Sequence, residues 1–288
     1  MDYAGELTTI EDRLGRAGGL DAPRLPSLCP PPPRILSLPI LSRSAALLLL
    51  LLQDGTVDLE LTSSVVGLDP GLAFDTLQIA NQERNGDGEI WQLPLAVVAA
   101  VCDRLLTMVN CALKVESSYS VGVGARFRQL YLRCVQQACL AEFLACTLGN
   151  VNPKQAYVAG LLSGLLGPAE GISPELSSSL NCILSAGLYV QAMNSMHSPA
   201  AGGSPVDACV LLAESILDFG GIEGPGLTAK AQHLLDSPLW DCWDSCGRQE
   251  RCRIVAQGSR LGKWVGANAP RLSPWEFVTR LQRRRSWE

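Results

Sequence analysis

Residues Ala156–Gly167 read AYVAGLLSGLLG, and this stretch decides the fold. Ala156, Ala159, Gly160, Leu162 and Leu166 are small or apolar at helical spacing, so the stretch predicts a buried helix that other helices can approach closely. The chain around it has 288 residues, enough for one large core or two modest ones. With 47% hydrophobic and 18% charged residues, the composition is that of a globular protein with an oily tilt. The net charge of -5 gives no general basis for attraction to nucleic acid or to an anionic membrane.

Upstream, the pattern is helical from Ile35 onward. The apolar run Ala45–Leu52 follows Arg43, ends at Gln53-Asp54 and falls well short of the roughly 20 residues needed to span a bilayer, so it predicts a core helix. Residues 57–81, VDLELTSSVVGLDPGLAFDTLQIAN, predict two more helices, the second opened by Asp69 as cap and Pro70 at its first position. Residues 82–89, QERNGDGE, approach a calcium loop in register, but Gln92 stands where a bidentate carboxylate is required, and an interhelical turn is expected. Residues 90–115 predict one long apolar helix, on which Asp103 and Arg104 form a surface pair. Ser117–Gly124, SSYSVGVG, predicts a linker before a long helix over Phe127–Leu148.

The arm Met1–Arg34, with prolines in a row at Pro30–Pro33 and few large apolar residues, predicts a disordered spacer, with docking of the proline run as the alternative. No secretory signal is expected at the N-terminus. Most of the eleven cysteines fall within apolar helical stretches, where a reduced thiol packs as a small hydrophobe, so a cytoplasmic protein is expected. Downstream, helices are predicted over Leu180–His197, Val206–Phe219 and Leu227–Leu235.

Taken together, these pieces carry a resemblance. A Leu-Pro before the leucine-rich helix, Asp69-Pro70-Gly71-Leu72 opening a later one and Leu77-Gln78-Ile79-Ala80-Asn81 closing it look like the N-terminal subdomain of HDOD proteins, the HD-related output domains of bacterial signalling. AYVAGLLSGLLG resembles the signature helix of HD-domain proteins, in which a His-Asp pair follows the Gly-Leu-Leu. The resemblance covers roughly Ile35–Gly221. It implies an all-α HDOD-like fold, with an N-terminal helical subdomain (35–116) packed on a degenerate HD-like bundle (125–221). A C-terminal helical extension (222–288) follows.

The same resemblance implies that the metal site is lost. Ser163-Gly164 replaces the His-Asp pair, and neither residue can do that pair's work, because Ser is a weak neutral ligand and Gly has no side chain. In the frame Tyr131-Leu132-Arg133-Cys134, Arg133 stands where the family carries its first metal-binding His, and Met196-His197 stands where a His-His pair often closes a later helix. The two histidines of the chain are His197 and His233, so none precedes the signature helix. Cys134, beside Arg133 in an apolar helix, is expected in the core rather than as a substitute ligand. The implied role is a non-catalytic bacterial signal-transduction module without cofactor or membrane attachment, in contact with an unidentified signalling protein. The old cleft around Ser163 and Gly164 is expected to persist as an apolar pocket open to a small ligand.

Three alternatives remain on the sequence. One is a nucleic-acid-binding regulator using Arg280, Arg283, Arg284 and Arg285; another is a metal-dependent phosphohydrolase. The third is a zinc site from His233, Cys242, Cys246 and Cys252, although no C-x-x-C knuckle is present. For that last segment the competing expectation is a small cap with Trp240, Trp243 and Trp264 as packing mass.

Overall fold

Several helix starts in this chain coincide with residues whose side chains satisfy the free N–H groups of a first turn. The computed structural model describes residues 38–53, 58–82, 90, 92–100, 102–112, 121–149, 151–165, 205–219, 229–243, 246–272, 276–277 and 279–281. Among them every regular element is a helix. In order these are α1 (Ser42–Gln53), α2 (Leu59–Gly67), α3 (Pro70–Gln82), α4 (Leu93–Ala99), α5 (Cys102–Cys111), α6 (Val121–Leu148), α7 (Pro153–Ser163), α8 (Pro205–Phe219), α9 (Ala229–Leu235), a 3-10 turn (Pro238–Cys242) and α10 (Arg248–Asn268). Asp58 caps α2 by accepting from Leu61 N at 3.0 Å, and Asn152 caps α7 by accepting from Lys154 N at 2.9 Å.

Two elements differ from expectation. The single helix predicted over 90–115 is two, α4 and α5, bent by 100°. The bend lets Leu93, Ala96 and Val97 share one core with Leu105 and Val109, whereas a straight helix of that length would run about 39 Å and leave the core. Apolar periodicity does not register this turn, because the residues around it are as apolar as the helices. The linker predicted over 117–124 is helical from Val121, since small residues in the first turn cost little against the long helix that follows. The arm at 1–34, the turn at 83–89 and segment 166–204, with the helix expected at 180–197, lie outside the described residues.

The described residues lie in one compact unit, Ser37–Glu288, with two hydrophobic clusters. The first gathers α1–α5 around Phe127, Tyr131 and Cys134 of α6; the second gathers α8, α9 and Trp240 around Leu140, Ala141 and Leu144 of the same helix. At 28 residues, α6 is about 42 Å long and serves both. The described residues after 229 join this packing. α10 lies along α6, where Gln136 Nε2 donates to Gly262 O at 2.9 Å, and Val265, Phe277 and Leu281 are buried in the first cluster. Among the described residues no single helix is long and apolar enough to cross a membrane.

Polar groups tie the N-terminal helices together. The buried Asp69 carboxylate accepts from Leu41 N at 2.8 Å, Gly71 N at 3.0 Å and Leu72 N at 3.1 Å, so one side chain holds the turn into α1 and the first turn of α3. Asn81, near the end of α3, accepts from Ile90 N at 2.7 Å and donates to Ile90 O at 3.1 Å. Tyr131 Oη donates to Pro39 O, and Tyr157 Oη to Gly67 O at 2.9 Å, joining α6 and α7 to these helices.

Burial pushes the Asp69 carboxyl up to about 6, against its hydrogen bonds, which lower it. Asp75, one and a half turns along α3, is buried with neither carboxylate oxygen hydrogen-bonded, and burial followed by the Asp69 charge holds it well above the usual carboxylate range. Both folded values exceed the unfolded one, so the folded state holds protons that the unfolded chain releases. That stability is complete below about pH 4 and is lost as pH rises toward 6 and beyond, by about 3 kcal/mol for Asp69 alone. Urea unfolding is therefore expected to show a more stable protein at about pH 5 than at about pH 7.5. Asp75→Asn should stabilise by about 1–2 kcal/mol at the higher pH and by less at the lower. An equal effect at both would show that Asp75 is not held protonated.

Candidate functional site

The positions that would carry the metal-binding pair lie at the crossing of α6 and α7, which is closed backbone to backbone. A Cβ placed on Gly160 would stand 3.0 Å from Ala138 Cα, Ala141 Cβ and Gln137 O. At Gly164, just past the end of α7, it would stand 2.9 Å from Cys134 Cα and 3.0 Å from Cys134 Sγ. Ser163 Oγ accepts from Gln137 Nε2 at 3.1 Å and donates to Gly160 O at 3.2 Å. The residues facing Ser163-Gly164 from α6 are thus Cys134 and Gln137. Cys134 is fully buried, and burial pushes its thiol far above the usual range, so it stays protonated and packs as a hydrophobe. Among the described residues, the α6 side of Ser163-Gly164 is filled by these two side chains and backbone. Arg133, one residue and about 100° around the helix from Cys134, turns to α8 and pairs with Asp218. His197 lies outside the described residues.

The zinc alternative is not brought together. His233 and Cys242 are exposed, Cys252 is half-buried and Cys246 is buried. Among the described residues no three His, Cys, Asp or Glu side chains are grouped so that they could hold a metal ion. The tryptophans divide. Trp240 and Trp243 pack in the second cluster, their indoles donating to Leu234 O at 2.9 Å and Gly149 O at 3.4 Å. Arg251 lies 5.7 Å over the Trp240 ring and donates to Cys246 O and Leu235 O, which pins the segment to α10. Trp264 belongs elsewhere, stacked on Phe277 at 5.4 Å against the first cluster. Arg280 is exposed at the C-terminal end, and Arg283, Arg284 and Arg285 lie outside the described residues.

A cavity of about 400 Å³ opens between α2, α4, the start of α7 and the C-terminal segment. Leu59, Leu68, Leu93, Val158, Phe277 and Leu281 give it apolar walls; Glu60, Glu142 and Lys154 give it charge. Its shape depends on Gly67, whose bare Cα admits the Tyr157 ring and Leu93 at 3.3–3.4 Å from where a Cβ would be. Glu142 is buried, with Lys154 Nζ 3.2 Å from Oε1. A preformed, largely apolar cavity with a few fixed polar groups is suited to holding a ligand. Sequence reasoning missed it. The available signal was Glu142 itself, the one charge between Cys134 and Cys146.

These features define an all-α protein with two cores on one long helix, a closed α6–α7 crossing and a separate apolar cavity. No family model matches the sequence, and no curated protein does. Among solved structures, the chain is similar to the MmoQ response regulator from Methylococcus capsulatus str. Bath, with a TM-score of 0.52 and 17% identity over 76% of this chain and 98% of that one. A second crystal structure of that regulator, fragment 20–298, aligns over 88% of this chain and 92% of that one at 17% identity, with a TM-score of 0.40. At this identity the likeness shows the fold.

Adding a side chain at the crossing should therefore be costly. Gly164→Asp is expected to destabilise by about 2–3 kcal/mol and Gly160→Ala by about 1–3 kcal/mol, because each new Cβ meets backbone that cannot rotate away. Denaturant unfolding checks both. Wild-type stability in Gly164→Asp would mean that the crossing is loose enough to admit a ligand.

Proposed function

We propose that the chain is a non-catalytic signal-transduction module of the HDOD type, acting through protein contacts with its metal site lost. The observation that carries the reading is the α6–α7 crossing. Water activation by an HD-type metal needs several His and Asp side chains around one point. Here Ser163 is engaged with Gln137 and Gly160, and Gly164 has neither a side chain nor room for one. The fold it shares with a response regulator supports a signalling role, and a bacterial one. The cysteines Cys134 and Cys209, buried as free thiols, support a reducing cytoplasm as the place of work.

The reading is tested by incubating the full chain with Mn²⁺, Mg²⁺ or Fe²⁺ and a phosphodiester such as bis(4-nitrophenyl) phosphate, and in parallel by purifying its complexes from native lysate. Turnover is expected to stay at the level of heat-inactivated protein, and a stoichiometric protein partner is expected to remain bound in EDTA. Turnover that EDTA abolishes and added metal restores would overturn the proposal.

A further inference from the structure

The chain's net charge of -5 is spread unevenly. Residues 1–244 hold 13 Lys or Arg against 25 Asp or Glu, whereas residues 245–288 hold 10 against 3, so an acidic body carries a basic segment. α10 displays that charge on one side. Arg253, Arg260 and Lys263 are exposed within about 80° around the helix and about 15 Å along it, and Arg271, just past its end, is exposed too. Glu250, the acidic residue of α10, accepts from Arg253 Nε at 3.0 Å and so offsets that arginine, but the helix sets no acid beside Arg260 or Lys263. Its other arginines turn to the body, Arg248 toward Asp236 and Arg251 over Trp240.

The rest of this face narrows the partner. Ile254, Val255 and Val265 of α10 are buried, and the large exposed apolar side chains among the described residues, Leu50, Leu59, Leu95 and Val98, lie on other helices or turns. A protein partner needs an apolar or aromatic centre to bury, and a lipid surface needs apolar side chains to insert. A phosphate backbone is held by cations alone. Trp264, the aromatic residue of α10, is half-buried and stacked on Phe277, so the face offers no platform for unpaired bases and suits a rigid duplex better than a single strand. We propose that the exposed face of α10, with Arg260, Lys263 and Arg271, docks on the phosphodiester backbone of a nucleic-acid duplex without reading its sequence. This goes beyond the signalling role proposed above and does not depend on the α6–α7 crossing.

Fluorescence anisotropy tests it, with the full chain titrated into a labelled DNA duplex of about 30 base pairs at about 50 to 200 mM NaCl. Binding is expected to weaken with salt, with a log–log slope of about -3, the value for three or four neutralised phosphates. An RNA duplex of the same length should bind within about threefold, and poly-L-glutamate about tenfold or more weakly. Arg260→Glu with Arg271→Glu, both at exposed positions, should leave the thermal midpoint unchanged, weaken DNA binding about tenfold or more and reduce the slope by about 2. Replacing Arg283, Arg284 and Arg285 together by serine should cost less than that pair. No binding at the lowest salt would overturn the proposal. So would equal binding of poly-L-glutamate, or binding that survives the α10 pair and is lost in the triple serine variant.

Discussion

The contact on which the rest of the structure depends is the approach of α7 to α6 at Gly160 and Gly164, whose missing side chains let the two backbones come close. Such close packing gains many dispersion contacts and tolerates no added methyl group. It draws the start of α7 over the N-terminal helices, where Tyr157 reaches Gly67 O, and leaves α6 free on its other sides to receive α8 and α10. Loosening this crossing would disturb both cores at once, because α6 belongs to both.

The same contact links fold to function. A metal site needs space between helices, filled by ligands and water, whereas this crossing is filled by Cys134, Gln137 and backbone. With Gly at position 164 the helices approach closely, and a side chain there would meet Cys134. Elsewhere on α7, Lys154 and Tyr157 line a cavity.

Much of the fold was legible in the sequence, for identifiable reasons. Asp69-Pro70 announced α3 because a cap and a proline act locally, and the Ala-Gly-Leu pattern of 156–162 announced close packing because small residues serve little else in a buried helix. The bend between α4 and α5 was not legible, since tertiary burial and not local preference makes it. Nor was the second task of Asp69, the bond from Leu41 N, because a partner 28 residues away leaves no trace in a local pattern. At the site, the chemistry of Ser163 and Gly164 could be read from residue type alone. Register could not: Arg133 and Cys134 are neighbours in sequence, but one turns to α8 and the other to Gly164. The cavity was hidden for a related reason, since its walls come from segments more than 200 residues apart, from Leu59 to Leu281.

The most direct test of a closed and metal-free crossing is the transition-metal content per chain, measured by elemental mass spectrometry on full-length protein purified without chelator. The account predicts well under one metal per chain, unchanged in Ser163→Ala. About one metal per chain, retained in Cys246→Ser and lost in Ser163→Ala, would contradict it by placing a working metal at the crossing.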